Sequence, residues 1–275
     1  MNVNAITNAL ALCNTPADRE LPQGIADAQA IADKFREFPP GIPSATDLLD
    51  ELIAAGPENF DAALDDAARE YARRTLIQAT RTNGMQNIRV DQLLTDAMND
   101  ALPTITQRLT PVFTKAAAAL TRTSRDLPDG PAALDPAAVL AADAGSSYRV
   151  VHDATSRVAT IAAVFDVRLR TDGTTRQGSQ VITVVDIPEV GVELIHPVSE
   201  ARLNDTAELE RINAIRRLVR DFNDNSQLTL LDVARGDYGE AITLSLATDA
   251  TEIAQRIQRI STAHLSRRVR EHDAA

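Results

Sequence analysis

With 275 residues, 44% of them hydrophobic and 24% charged, the chain has enough apolar mass for one large core or two modest ones. Its net charge of −11 sets the average surface against phosphate, which makes nucleic acid an unlikely partner and disfavours anionic membranes. Aromatics at 3%, with no tryptophan, leave few stacking anchors, and the lone Cys13 excludes an intramolecular disulfide or a cysteine metal cage.

The acidity is spread along the chain. Residues 1–130 hold 12 basic and 18 acidic side chains, and residues 131–275 hold 16 and 21, so neither half is a basic module. Only Lys34 and Lys115 of the 28 basic residues are lysines. Asn2 and Asn4 stand where a secretion signal would carry lysine or arginine, and the Ala5–Leu12 run is short and broken by Thr7 and Asn8. No stretch reaches the roughly 18–20 apolar residues of a membrane span. The expectation is a cytoplasmic protein with no membrane partner.

Residues 1–22 read as a loosely structured lead-in punctuated by Pro16 and Pro22. Ile25, Ala28, Ala32, Phe35 and Phe38 predict an amphipathic helix over 23–38, stopped by the proline-rich run 39–43. A short helix through Leu48, Leu49, Leu52 and Ile53 follows, and Gly56 supplies its C-terminal turn. Pro57 opens a longer helix reaching Asn83-Gly84, with Phe60, Leu64, Ala67, Ala68 and Tyr71 as its expected buried stripe.

The strongest periodic signal runs through Leu94, Met98, Leu102, Ile105, Leu109, Phe113, Ala116 and Leu120. Pro103 and Pro111 predict a kink or two collinear helices. Such a stripe packs within a bundle or against a second copy; the prolines and the absence of a sustained charged flank favour the bundle. These helices make 1–123 a helical region, and 124–136 reads as a linker.

Beyond the linker, 137–275 reads as an α+β sheet domain, opened by a short alanine-rich helix that ends at Gly145. Alternation predicts strands over 147–151 and 158–170, with Ala163, Phe165, Val167 and Leu169 on one face. The turn 171–178 leads to a return strand through Val181, Val185 and Ile187. Leu209, Ile212, Ile215, Val219 and Phe222 then mark a helix over 206–222. A second hairpin pairs 228–235 with 240–247 around Gly236–Gly239, and Asp249 with Glu252 caps a final helix on Ile253, Ile257 and Ile260. The expected fold is therefore α+β: a helical N-terminal region, then an antiparallel sheet in α-βββ-α-ββ-α order with helices on one face. That order resembles the type III secretion chaperone-like fold over about half the chain, in element order alone and without a family motif. The resemblance implies a small, acidic, usually dimeric protein-binding module.

Reactive constellations are sparse. His152, Asp153 and Ser156 crowd one segment, without the Gly-x-Ser-x-Gly elbow or the separate elements that build a triad. Glu193 and His196 would need a bend at Pro197 to share a metal. Glu58, Asp61, Asp65 and Asp66 suit a solvated helix start, with Asp65–Arg69 and Glu70–Arg74 as ordinary surface pairs. No phosphate-loop motif is present, and no cofactor is expected.

Two arginine stripes stand out. Arg211, Arg216, Arg217 and Arg220 lie on one predicted helix; Arg256, Arg259, Arg267, Arg268 and Arg270 lie on the last. The leading expectation is a non-catalytic interaction or assembly protein that binds a protein partner or itself through helix packing. Leu102, Leu109, Arg216, Arg217, Arg220, Arg256, Arg259 and Arg267 are its candidate contact residues. One alternative is an enzyme whose site is assembled on the sheet from scattered groups such as Asp166, Arg168, His152 and His196. The other is a nucleic-acid or acidic-partner binder working through the arginine helices.

Overall fold

The computed structural model describes residues 3–37, 45–82, 85–164, 170–171, 174–175, 180–189 and 206–273. Their fold is mostly helical. Helices α1 (Val3–Leu10), α2 (Pro16–Arg19), α3 (Gln23–Glu37), α4 (Ala45–Thr82) and α5 (Met85–Thr123) come first. Two 3-10 turns, Ser124–Asp126 and Gly130–Leu134, lead to α6 (Pro136–Ala141) and α7 (Gly145–Ala162). Then follow β1 (Arg170–Thr171), β2 (Thr174–Thr175), α8 (Val181–Val184), β3 (Val185–Asp186), α9 (Thr206–Asp224), α10 (Ser226–Arg235), β4 (Thr243–Leu244) and α11 (Ala250–Asp273). Among the described residues the strands form two antiparallel pairs, β1 with β2 and β3 with β4.

The chain divides into two compact units, residues 1–22 with 99–275 and residues 23–98. The first holds a dense core. Ile6, Ala9, Leu10 and Cys13 recur at helical spacing and are buried, so the N-terminal segment is packed rather than a loose lead-in. Its α1 lies on α7, α10 lies on both α7 and α9, and α11 lies on α9. The 124–136 segment is not a linker either. Ser124, Leu127 and Ala133 are buried, and the Arg235 guanidinium donates to the carbonyls of Ser124, Leu127 and Pro128 at 2.8–3.0 Å.

Three stretches read as strands, 147–151, the described start of 158–170, and 228–235, lie in two helices, and Val181 of the expected return strand lies in α8. Over 145–162 the β-branched Val150, Val151, Thr155, Val158 and Ile161 suggest extended chain. The buried set Val151, Ala154, Thr155, Val158, Ile161 and Ala162 instead follows the 3.6-residue period, and packing overrides propensity. Over 226–235 the Asn225 side chain accepts from the Leu228 N–H at 3.1 Å, and Gly236 at φ +87° ends the helix in the left-handed region. With both segments helical, the α-βββ-α-ββ-α order and the resemblance drawn from it are lost. What remains is a helix-dominated α+β fold in which β3 joins β4, Val185 opposite Leu244. Residues 165–169, 172–173, 176–179 and 190–205, with their expected strand and turn positions, lie outside the described residues.

Other expectations match the structure. Gly56, at φ +71° and ψ 170°, breaks α4 immediately before Pro57 in a conformation open essentially to glycine alone. The Glu252 N–H donates to Asp249 Oδ1 at 2.9 Å at the start of α11, and the Glu252 carboxylate accepts in turn from the Thr248 N–H at 2.8 Å. By contrast, helix α5 runs through Pro103 and Pro111 as one element and is not divided into two.

The long stripe of α5 is core. Met98, Leu102, Ile105, Leu109, Phe113, Ala116 and Leu120 are each at most 5% exposed within the single chain, so Leu102 and Leu109 present no surface to a partner. Leu109→Ala should cost about 2–5 kcal/mol in urea denaturation, as truncation of a fully buried leucine does. Leu109→Asp should unfold the protein, and light scattering on any surviving native fraction should show its mass unaltered.

Candidate functional site

The arginines marked by sequence serve mostly the chain's own backbone. Arg256 is wholly buried: its Nη1 donates to the carbonyls of Ile182, Val185 and Ser245 at 2.8–3.1 Å, and its Nη2 pairs with Glu252. Burial alone would push the Glu252 carboxyl up. The Thr248 backbone N–H, the Arg256 charge, the Thr248 hydroxyl and the Arg256 hydrogen bond outweigh it and hold that carboxyl below its usual range. Arg259 donates to the Ile187 carbonyl at 2.7 Å and pairs with Asp186 and Glu189; Arg216 donates to the Ala263 carbonyl at 2.8 Å. Arg256 thus cannot touch a partner, and Arg216 and Arg259 are committed to tying α9 to α11 and α11 to the β3 end. The side chain of Arg267 lies outside the described set, while Arg220 is exposed beside Asp221.

Arg217 belongs to a polar cluster that sequence reading missed. Its guanidinium lies 4.6 Å from the centre of the Tyr238 ring and donates to the Asp237 carbonyl. The Tyr238 hydroxyl donates to Asp221 Oδ2 at 3.0 Å; burial and that carboxylate push its pKa up. Behind it sits Asp232, whose carboxyl rises to about 6 through burial first and the Asp237 charge second, against Arg235 and Arg217. The only sequence signal here was Asp237-Tyr238 between two glycines, which reads as a turn.

The groups considered for catalysis do not come together. His152 and Asp153 are exposed on α7, where Asp153 pairs with Arg157 at 2.9 Å and the His152 ring lies 5.9 Å from that of Tyr148. Asp166, Arg168, Glu193 and His196 lie outside the described residues. Among the described residues, no three His, Cys, Asp or Glu side chains are gathered closely enough to hold a metal ion, and no helix is long and apolar enough to cross a membrane.

The feature that stands apart is α4. The sequence places Phe60, Leu64 and Tyr71 on a buried stripe. In the structure they are 43–45% exposed, Ile53 is 76% exposed and Leu76 68%. No described residue of α4 is buried, and within residues 23–98 the buried side chains among those described are Ile25, Ala28, Ala32 and Met98 alone. Single exposed apolar residues such as Ile53, before the break at Gly56, and Leu76, on the far side of the helix, are ordinary; Phe60, Leu64 and Tyr71, which share one face, are not. The charge on this helix is also segregated. Residues 45–66 carry seven acidic side chains and no basic one, whereas 67–82 carry four arginines and Glu70. Asp65 and Asp66 pair with Arg69, and Glu70 with Arg73 and Arg74, across that boundary.

No protein-family model, curated protein or solved structure matches this chain.

Two substitutions test this picture of the polar groups. Arg256→Met should lower stability by about 3–5 kcal/mol because it strands buried carbonyls and Glu252; Arg256→Lys should restore only part of it, since one ammonium can stand in for Nη1 at the carbonyls but not also for Nη2 at Glu252. Asp232 has a raised pKa, so its ionisation opposes folding as pH rises from its unfolded value near 4 through about 6. Asp232→Asn should therefore gain about 1–2 kcal/mol at pH 8 and nothing at pH 4, read from denaturation midpoints at the two pH values.

Proposed function

We propose that this protein is a non-catalytic assembly module that self-associates through the uncovered face of α4. The observation that carries the reading is the helical segment of α4 that follows the break at Gly56, with Phe60, Leu64 and Tyr71 exposed along one face and no described residue buried. Helices take most of their stability from burying an apolar face, so a helix of this length with none buried calls for a cover. The charge pattern favours a second copy as that cover. In an antiparallel pair the acidic half of each α4 lies along the arginine half of the other, while a parallel pair sets like charge on like. A two-fold axis between Asp65 and Asp66 would bring Phe60 of each copy across from Tyr71 of the other and Glu58 across from Arg73, while Asp65 and Asp66, each paired with Arg69 of its own chain, would meet at the axis.

Light scattering coupled to size exclusion over a concentration series tests this directly. The expected result is a dimer whose dissociation constant weakens about 30-fold or more in Phe60→Asp, with the melting of the well-packed unit unchanged. Exchanging Glu58, Asp61, Asp65 and Asp66 for lysine should weaken the dimer. Adding Arg69→Glu, Arg73→Glu and Arg74→Glu to the same chain should restore it. A monomer at every concentration would refute self-association and leave a different protein as the occupant of this face.

A further inference from the structure

A second surface has different chemistry. In the first unit a groove of about 380 Å³ runs between α5 and α7, closed at one side by Leu12 and Asn14 beyond the end of α1. Its α5 wall presents Val112, Lys115, Ala116 and Ala119, the i, i+3, i+4, i+7 set of one helix face. Its α7 wall presents Arg149, Val150, Asp153, Ala154 and Arg157, so two cations stand two turns apart, about 12 Å along the helix. The floor is therefore aliphatic and the rim basic.

Three cations and one carboxylate line this groove in a chain whose net charge is −11. Asp153 is already engaged by Arg157 at 2.9 Å. Neither Lys115 nor Arg149 has a carboxylate partner among the described residues, unlike Arg211 and Arg220, which pair with acids, and Arg216, Arg256 and Arg259, which are spent on the backbone. Val150, 42% exposed, adds an apolar side chain beside this unneutralised charge. No aromatic ring lines the groove, so it offers a base or an aromatic acid no stacking surface. Its volume lies at the lower end of the roughly 300–1,000 Å³ of small-molecule sites.

From these features we infer that the groove binds a small aliphatic carboxylate. Its chain lies on Val112, Ala116, Ala119 and Val150, and its head group meets Lys115 and Arg149. Two complementary requirements follow: the anion without the chain loses the apolar contact, and the chain with a cationic head meets like charge.

Isothermal titration of the full chain at low ionic strength, with octanoate, acetate and octylammonium as probes, separates these terms. Octanoate should bind at least about tenfold more tightly than either of the others, and added salt should weaken it. Lys115→Glu with Arg149→Glu should cost octanoate about tenfold or more. Both side chains are exposed, so the thermal melt should stay unchanged; amide chemical-shift changes confined to 112–119 and 149–157 in the unsubstituted protein give a second readout that does not depend on the variants. Absence of octanoate binding, equal binding of octanoate and octylammonium, or shifts scattered elsewhere would overturn the assignment.

Discussion

The C-terminal part of this fold depends on one buried guanidinium. Helix α8 is four residues long and β3 and β4 two each, so the segments around them leave carbonyls that no ladder satisfies. Arg256 gathers three of those carbonyls, from 182, 185 and 245, at its Nη1, with Glu252 supplying the compensating charge. A buried charge costs several kcal/mol in desolvation, and only this number of acceptors offsets it. The same device recurs. Arg235 clamps 124–128, Arg108 reaches the Glu20 carbonyl at 2.8 Å, and Arg19 reaches that of Cys13 at the same distance. The chain's preference for arginine over lysine thus has a structural use: the guanidinium divides its work between nitrogens, as Arg256 does with Nη1 on three carbonyls and Nη2 on Glu252.

That device also explains why the arginine stripes misled. On the sequence, Arg216, Arg217, Arg256 and Arg259 look like basic helix faces awaiting an acidic partner. Nothing in a single chain of letters distinguishes a guanidinium that faces water from one that reaches a carbonyl 74 residues away, as Arg256 does to Ile182. Helices whose ends carry their own local signals were legible: the break at Gly56, the cap at Asp249 and the stripe of α9 all follow from neighbouring residues. Helices α7 and α10 were not, because β-branched and leucine-rich runs fit a strand locally, and tertiary packing decided otherwise. The α4 stripe was read correctly as a line of apolar residues. Its exposure was not legible, since the pattern that marks a buried face marks a partner-seeking face equally well.

The two compact units stand on different energetic footings. Residues 1–22 with 99–275 bury the complete faces of α1, α7 and α10 and the stripe of α5, enough to set a cooperative core. Among the described residues of 23–98, four side chains are buried, two of them alanines in α3. Fixing each residue's backbone costs on the order of 1–2 kcal/mol, and helix hydrogen bonds alone do little more than balance it. In the proposed dimer a second copy would add to the stability of the α4 segment by mass action.

An exposed apolar helix carries a hazard as well as an opportunity, and the charges on α4 address it. Seven carboxylates over 45–66 repel any arrangement that brings equivalent halves together, which removes the parallel pairing and most disordered stacking. Only an approach that reverses the helix direction relieves that repulsion, because it exchanges acidic neighbours for the arginines of 69–81. A heterologous contact would leave one face of each copy open and propagate; the reversed pairing closes on itself after two. In the dimer proposed above, segregated charge on an uncovered stripe would therefore limit this surface to a finite assembly rather than an aggregate.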